Sequence, residues 1–137
     1  MDTRKILLRP ENIVRRLETE AIPVTLVDGI TLNIQQGEFV AIMGPSGSGK
    51  SSLLYILGLL DRATSGTLIL DGQDISATND ANLSRMRLEK LGFVFQFHYL
   101  LPEFSALDNV AIPMRRLGRL TENQIRSRAA SILSDLG

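Results

Sequence analysis

One octapeptide constrains this chain more than anything else in it: Gly44-Pro45-Ser46-Gly47-Ser48-Gly49-Lys50-Ser51 follows the pattern G-x-x-x-x-G-K-[ST]. It stands between a continuous apolar run, Phe39–Met43, and a Leu-rich segment that begins at Ser51. Such a strand–loop–helix setting is where the pattern acts as a phosphate cradle. Its three glycines let the backbone curl until successive N–H groups point inward, forming an anion nest at a helix N-terminus. The phosphate-binding candidates are therefore Gly44, Pro45, Ser46, Gly47, Ser48, Gly49, Lys50, Ser51 and the following Ser52. Lys50 supplies a mobile point charge for terminal phosphates, and the Ser51 hydroxyl is a hard oxygen ligand suited to Mg²⁺. A Gly/Ser-rich turn with an exposed Lys is the plainer alternative, and the flanking apolar pattern argues against it. Lys occurs only at positions 5, 50 and 90 in a chain with twelve Arg, and a guanidinium is no simple replacement for the Lys50 charge.

Composition narrows the field by exclusion. The chain has 137 residues with 15 Lys+Arg against 15 Asp+Glu, so affinity for nucleic acid through bulk phosphate neutralisation is not expected. No Cys is present, which removes disulfide scaffolds and Cys-based zinc sites. Met1–Leu8 offers only the apolar triplet Ile6-Leu7-Leu8, and the run Leu53–Leu60 is eight residues long. Neither suffices for a signal peptide or a membrane span.

The periodicity predicts an α/β chain. Val24, Leu26, Ile30, Leu32 and Ile34 mostly alternate, with Asp28-Gly29 interrupting as a bulge or turn, which predicts half-buried antiparallel strands over Ile22–Ile34. Phe39–Met43 reads as a strand buried on both faces. Ser51–Leu60, apolar nearly all round, reads as a buried helix. Gly66–Asp71 reads as a strand turning at Asp71-Gly72 into Gln73–Ile75. Asn79–Lys90 is expected to form a surface helix and Gly92–Phe95 another short strand. Ser105 with Asp108 resembles a capping box, and Thr121 with Gln124 fits one outright. Ile125, Ala129, Ile132, Leu133 and Leu136 then recur at helical spacing up to Gly137. Strand, helix, strand and then helices imply a sheet that is partly parallel.

Two further features carry chemistry. Thr67-Leu68-Ile69-Leu70-Asp71 has the form of an apolar strand ending in a Mg²⁺-binding Asp, but Gly72 suits a two-residue hairpin turn, so Asp71 is not placed among the metal ligands. Five of the seven aromatics fall within 93–104: Phe93, Phe95, Phe97, Tyr99 and Phe104. Phe93 and Phe95 suit a core strand, whereas a loop that keeps Phe97, Tyr99, Leu100-Leu101-Pro102 and Phe104 together resembles an interface for a hydrophobic element. His98, the sole His, is expected at the surface or an interface.

Taken together, Gly44–Ser51, Ser65-Gly66-Thr67 with Asp71-Gly72, Gly92-Phe93-Val94-Phe95-Gln96, Leu100-Leu101-Pro102 and Asp108-Asn109-Val110 resemble the ATP-binding subunit of an ABC transporter. The lipoprotein-releasing and macrolide-exporter branch is the most similar. The resemblance covers about residues 11 to 137. It implies a phosphate-loop fold of the ABC type: an antiparallel β subdomain, part of a parallel-sheet core, and the start of a helical subdomain. Its expected division is 1–104 for the β subdomain and loop core and 105–137 for the helical part. It also implies ATP and Mg²⁺ as ligands, with Lys50 and Gln96 as the catalytic residues. Ser51 and Gln96 would be the metal ligands, Gln96 also reaching the attacking water. Residues 97–105 would receive a coupling helix of a transmembrane permease subunit. A second copy of the ATP-binding subunit would complete the site, and the protein would sit peripherally on the cytoplasmic face of the inner membrane.

The family usually carries an aromatic near Leu17 to stack on adenine, and Leu17 offers only apolar contact. The sequence stops at Gly137, before the family's signature loop, its Asp-Glu strand and its switch histidine, so the resemblance implies the N-terminal part of a longer polypeptide. Two other readings stand beside an exporter ATPase. One is a compact soluble phosphotransferase that uses Asp71; the other is a binding module without chemistry.

Overall fold

The computed structural model describes residues 4–19 and 22–137. Residues 1–3 of the Met1–Leu8 stretch lie outside the described residues. The chain divides into two compact units, residues 1–87 and 88–137.

The first unit is organised by one long strand. β1 (Ile6–Leu17) pairs antiparallel with β2 (Val24–Ile30), β3 (Ile34–Gln35) and β4 (Ser65–Leu70), and β4 pairs antiparallel with β5 (Gln73–Asp74). A strand reaches three neighbours only by changing partners along its length. The lower half of β1, around Leu8, lies between Ile34 and Leu70, while Ile13–Leu17 runs against Ile30–Val24. Register shifts after Glu11 and Ile13 mark the bend, as bulges do in twisted sheets. Gly66 fits this bend tightly: at φ +95° a Cβ on it would stand 2.3 Å from the Asn12 carbonyl oxygen. The β4–β5 connection is the expected hairpin, with Asp71 (φ 54°) and Gly72 (φ 83°) both left-handed, as a two-residue turn of the mirror-image type requires.

α1 (Lys50–Leu57) covers this sheet with Leu53, Ile56 and Leu57 buried. Ile13, Val27, Leu68, Leu70 and Ile75 are buried in the same unit. The helix is not buried all round, because Leu54 and Tyr55 are exposed. α2 (Asp80–Lys90) follows, with Asn79 Oδ1 accepting from the Asn82 N–H at its start. A bidentate Arg15–Asp61 pair ties the turn after α1 to β1, and Arg62, donating through Nε and Nη2 to one Asp80 oxygen, ties it to α2.

Two expected strands are absent. Phe39–Met43 and Gly92–Phe95 have no regular structure, and Phe39 and Met43 are 95% and 88% exposed. Apolar residues form a doubly buried strand only when ladder partners and covering layers are supplied on both sides. Among the described residues nothing pairs with either segment, and every strand pairing is antiparallel. The expected parallel pairing is therefore not formed here.

In the second unit α3 (Ala106–Leu117) packs on α4 (Glu122–Asp135) through buried Ala111, Ile125 and Ala129, flanked by Leu107, Val110 and Met114. Both helix starts are capped as the spacing indicated. Ser105 Oγ accepts from the Asp108 N–H, and Thr121 with Gln124 closes a full capping box. Gly118 ends α3 in the left-handed conformation. The small Ala–Ile–Ala core is supplemented by charge. Arg115 bridges Asp108 on its own helix (3.0 Å) and Glu122 at the start of α4 (2.5 Å).

Those contacts give a pH signature. The Ser105 hydroxyl and Arg115 hold the Asp108 carboxyl below its ordinary range, Arg115 does the same for Glu122, and Arg115 itself is raised. Depressed carboxylates contribute stability above their unfolded pKa and lose it as pH falls through the folded one. We expect the α3–α4 unit to loosen below about pH 4, with amide exchange in both helices accelerating more in wild type than in Arg115→Ala. Separately, the 137-residue chain, with Phe39, Met43 and Val94 exposed, is expected to self-associate. A single monomeric species in light scattering at all accessible concentrations would contradict this.

Candidate phosphate-binding site

The loop pattern read from the sequence folds into one place. Residues 44–49 connect the irregular 39–43 segment to α1, with a turn closed by the Ser48 N–H donating to the Pro45 carbonyl (3.2 Å). Gly44 allows this close folding, since a Cβ there would lie 2.7 Å from Ser48 Oγ. Gly47 and Gly49 are left-handed, at φ +80° and +84°. Gly49 is the tighter constraint: a Cβ on it would stand 2.0 Å from the Leu26 carbonyl oxygen of β2. The loop backbone is thus pressed against the sheet, and the first residue of α1 is Lys50.

The N-terminus of α1 differs from those of the other three helices. Asn79, Ser105 and Thr121 each cap a helix with a side-chain oxygen. Gly49 has no side chain to do so, and no acidic residue lies in the first turn. The leading N–H groups of α1 therefore carry their partial positive charge without a side-chain acceptor. Lys50 adds a full charge. Its ammonium donates to the Gly44 carbonyl (2.8 Å) and the Pro45 carbonyl (2.7 Å), with Ser48 Oγ at 3.5 Å. Among the described residues no carboxylate forms an ion pair with it. Neutral carbonyls orient the ammonium over the loop while leaving its charge uncompensated, which is the arrangement an anion needs.

Ser51, on the first turn of α1, is exposed, and Ser52 is half-buried. For Mg²⁺, no group of three or more His, Asp or Glu side chains gathers among the described residues. The loop region fits a metal that arrives with phosphate oxygens and takes one hydroxyl from the chain, the part Ser51 fits. Asp71 sits in the β4–β5 turn and forms an ion pair with Lys5. Leu17 ends β1 opposite Val24 and is 39% exposed, an apolar surface only.

The remaining candidates belong to the second unit. Gln96 lies in the irregular segment before α3 and is exposed. Around it the aromatic rings form a chain. Phe93 stacks on Phe95 (5.4 Å), Phe95 meets Tyr99 edge-on (5.1 Å), and Tyr99 meets Phe97 (6.5 Å). Their outer faces remain exposed, and so do Leu100, Leu101 and Phe104. His98 is exposed, with Nδ1 accepting from the Leu100 N–H (3.2 Å). Asn109, marked in the sequence only by its place in Asp108-Asn109-Val110, binds the backbone of 101–105 through its side chain.

A family model described as ABC transporter matches residues 27–137. Among curated proteins, the chain is 48% identical over 128 residues to the lipoprotein-releasing system ATP-binding protein LolD 1 of Chlorobium chlorochromatii, covering 93% of this chain and 52% of that protein. It is 49% identical to LolD of Aquifex aeolicus (96% and 56% covered) and 46% identical to LolD of Bordetella avium (95% and 56%). Among solved structures it matches a dimeric ATP-binding cassette in a post-hydrolysis state with ADP and phosphate, at TM-score 0.86 and 36% identity, over 93% of this chain and 56% of that one. A dimeric bacterial ABC transporter cassette gives the same figures. The chain spans about half the length of the curated relatives it matches.

The loop geometry predicts the effect of removing its charge. Each charge-assisted contact to phosphate is worth roughly 1.5–3 kcal/mol, so Lys50→Ala is expected to weaken Mg-ATP binding by about tenfold or more in calorimetry. Gly49→Ala should weaken binding and also lower the thermal midpoint, because its Cβ meets β2. Equal affinity for wild type and Lys50→Ala would remove the loop from the site.

Proposed function

The chain belongs to the ABC transporter family, and from that premise we propose that it is part of the ATP-binding and ATP-hydrolysing subunit of a membrane exporter, of the lipoprotein-releasing or macrolide-exporter kind. One observation carries the proposal. The loop 44–51 presents an uncapped helix start and a lysine with no carboxylate partner among the described residues, in a chain 46–49% identical to lipoprotein-releasing ATP-binding proteins.

In this reading the N–H groups of the loop and of α1 cradle the ATP phosphates, and Lys50 compensates the terminal charge. The Ser51 hydroxyl and, on the family resemblance, Gln96 hold Mg²⁺, which when bound would neutralise charge building on the phosphate oxygens. Gln96 also orients the attacking water. Leu17 gives adenine an apolar contact without stacking. Residues 105–137 open the helical subdomain.

Partners follow from the same reading. Residues 97–105 receive an amphipathic helix of a transmembrane permease subunit, laid against the exposed apolar side chains. A second copy of the ATP-binding subunit completes the catalytic site, and the solved relatives described above are dimeric cassettes. Among the described residues no helix is long and apolar enough to cross a membrane, and the proposed position is peripheral, on the cytoplasmic face of the inner membrane. The balanced charge argues against a nucleic-acid partner held by bulk phosphate neutralisation.

Lys50, Ser51 and Gln96 supply positioning and charge in this reading, and among the described residues we assign no carboxylate to orient water. Losing a general base typically forfeits about 10²–10⁴ in rate. We therefore expect this chain to bind Mg-ATP without sustained phosphate release, beside a turning-over full-length subunit. Comparable steady-state rates from the two would overturn the assignment. Asp71→Asn in the full-length subunit separates the rival soluble phosphotransferase, in which phosphate release would be lost; in the exporter reading that variant keeps it.

A further inference from the structure

The segment 97–105 has no regular secondary structure, yet one side chain holds its backbone at four points. The Leu101 N–H donates to Asn109 Oδ1 (2.9 Å). The Asn109 amide nitrogen donates to the carbonyls of Leu101 (3.1 Å), Phe104 (3.2 Å) and Ser105 (3.0 Å). An Asn amide has two N–H donors and one acceptor oxygen, so its two hydrogens are shared among three carbonyls while its oxygen takes the one amide. No ordinary side chain of the same length offers that combination.

The clamp is anchored in a bonded network. Asn109 lies on α3 one residue after Asp108, which closes the Ser105 cap (2.6 Å) and accepts from Arg115 (3.0 Å). Arg115 in turn grips Glu122 at the start of α4. What the clamp shapes is an apolar surface, with Tyr99, Leu101 and Phe104 all exposed. Tyr99 adopts φ 48°, a left-handed backbone that a bulky residue keeps only where its surroundings over-determine it.

A loop already ordered before association spares the complex the entropy of ordering it. We propose that Asn109 is a positioning residue for the docking surface. It holds 101–105 in the shape that presents Leu101 and Phe104, beside the neighbouring Tyr99, to a helix of the membrane subunit, and so sets the affinity of that contact without touching nucleotide. This rests on the docking role of 97–105 proposed above.

The test uses the full-length ATP-binding subunit with the membrane subunit of the lipoprotein-releasing system encoded in the same genome, purified in detergent. Asn109→Ala removes all four bonds. Asn109→Asp keeps an acceptor for the Leu101 N–H but turns an oxygen toward the three carbonyls. The double variant Tyr99→Ser/Leu101→Ser tests the docking surface itself. Asn109→Ala is expected to raise the Kd for the membrane subunit about tenfold or more and to accelerate amide exchange at Leu101, with the Kd for Mg-ATP within about twofold of wild type. Asn109→Asp should be worse at neutral pH and recover as the new carboxyl is protonated, a pH dependence Asn109→Ala lacks. If Asn109→Ala binds the membrane subunit normally while the double variant does not, the clamp role is wrong and the docking surface stands. If neither variant changes that affinity, the docking reading falls and the proposal with it. Equal losses of nucleotide and membrane-subunit binding in Asn109→Ala would mean a general folding role and overturn it as well.

Discussion

The approach of Gly49 to the Leu26 carbonyl is the contact on which the phosphate loop depends. At φ +84°, with room for nothing larger than hydrogen on its outer side, Gly49 lets the loop backbone rest on β2 and start α1 there. Helix register then puts Lys50 at the first position, from which its ammonium reaches back to the Gly44 and Pro45 carbonyls. The sheet supplies the stiffness behind this contact. β2 is held by β1, β1 is held in turn by β3 and β4, and the buried side of α1 packs with Leu53, Ile56 and Leu57. An anion site made of backbone dipoles is only as good as their fixed orientation.

The second unit solves a different problem with different means. Its core of Ala111, Ile125 and Ala129 is small, so area burial alone gives it little. Polar contacts compensate. Ser105, Asp108, Arg115 and Glu122 form one connected network, and Asn109 adds the irregular segment before α3 to it. Exposed ion pairs contribute modestly one at a time. A chain of them that shares Arg115 and a helix cap fixes geometry more than it adds stability, which suits a surface of exposed aromatic side chains.

The chain's ABC membership and its match to dimeric cassettes concern the fold as a whole. The two segments that did not become strands follow the same physics. Phe39–Met43 and Gly92–Phe95 have the composition of buried strands, but burial is a property of neighbours, and none of the described residues takes that place. Apolar side chains at Phe39 and Met43 are accordingly left in solvent. The Leu-rich helix shows a milder version. Leu54 and Tyr55 face outward because the sheet covers only one side of α1.

What could be read before any coordinates is what local chemistry dictates. The glycine turn leading into α1 at Lys50 was legible because glycines at fixed spacing before Lys-Ser set the backbone locally. The Asp71-Gly72 hairpin, the Ser105 cap and the Thr121–Gln124 box were legible because turns and caps are satisfied within a few residues of chain. Each depends on bonds spanning two to four positions. The tertiary structure alone decided what depends on distant partners. It gave β1 three pairing partners, pressed Gly49 on Leu26, left 39–43 and 92–95 unpaired, and closed Asn109 over a loop eight residues before it. Hydrogen bonds and burial between residues far apart in sequence leave no periodic trace, because nothing in the local pattern records which neighbour will be there.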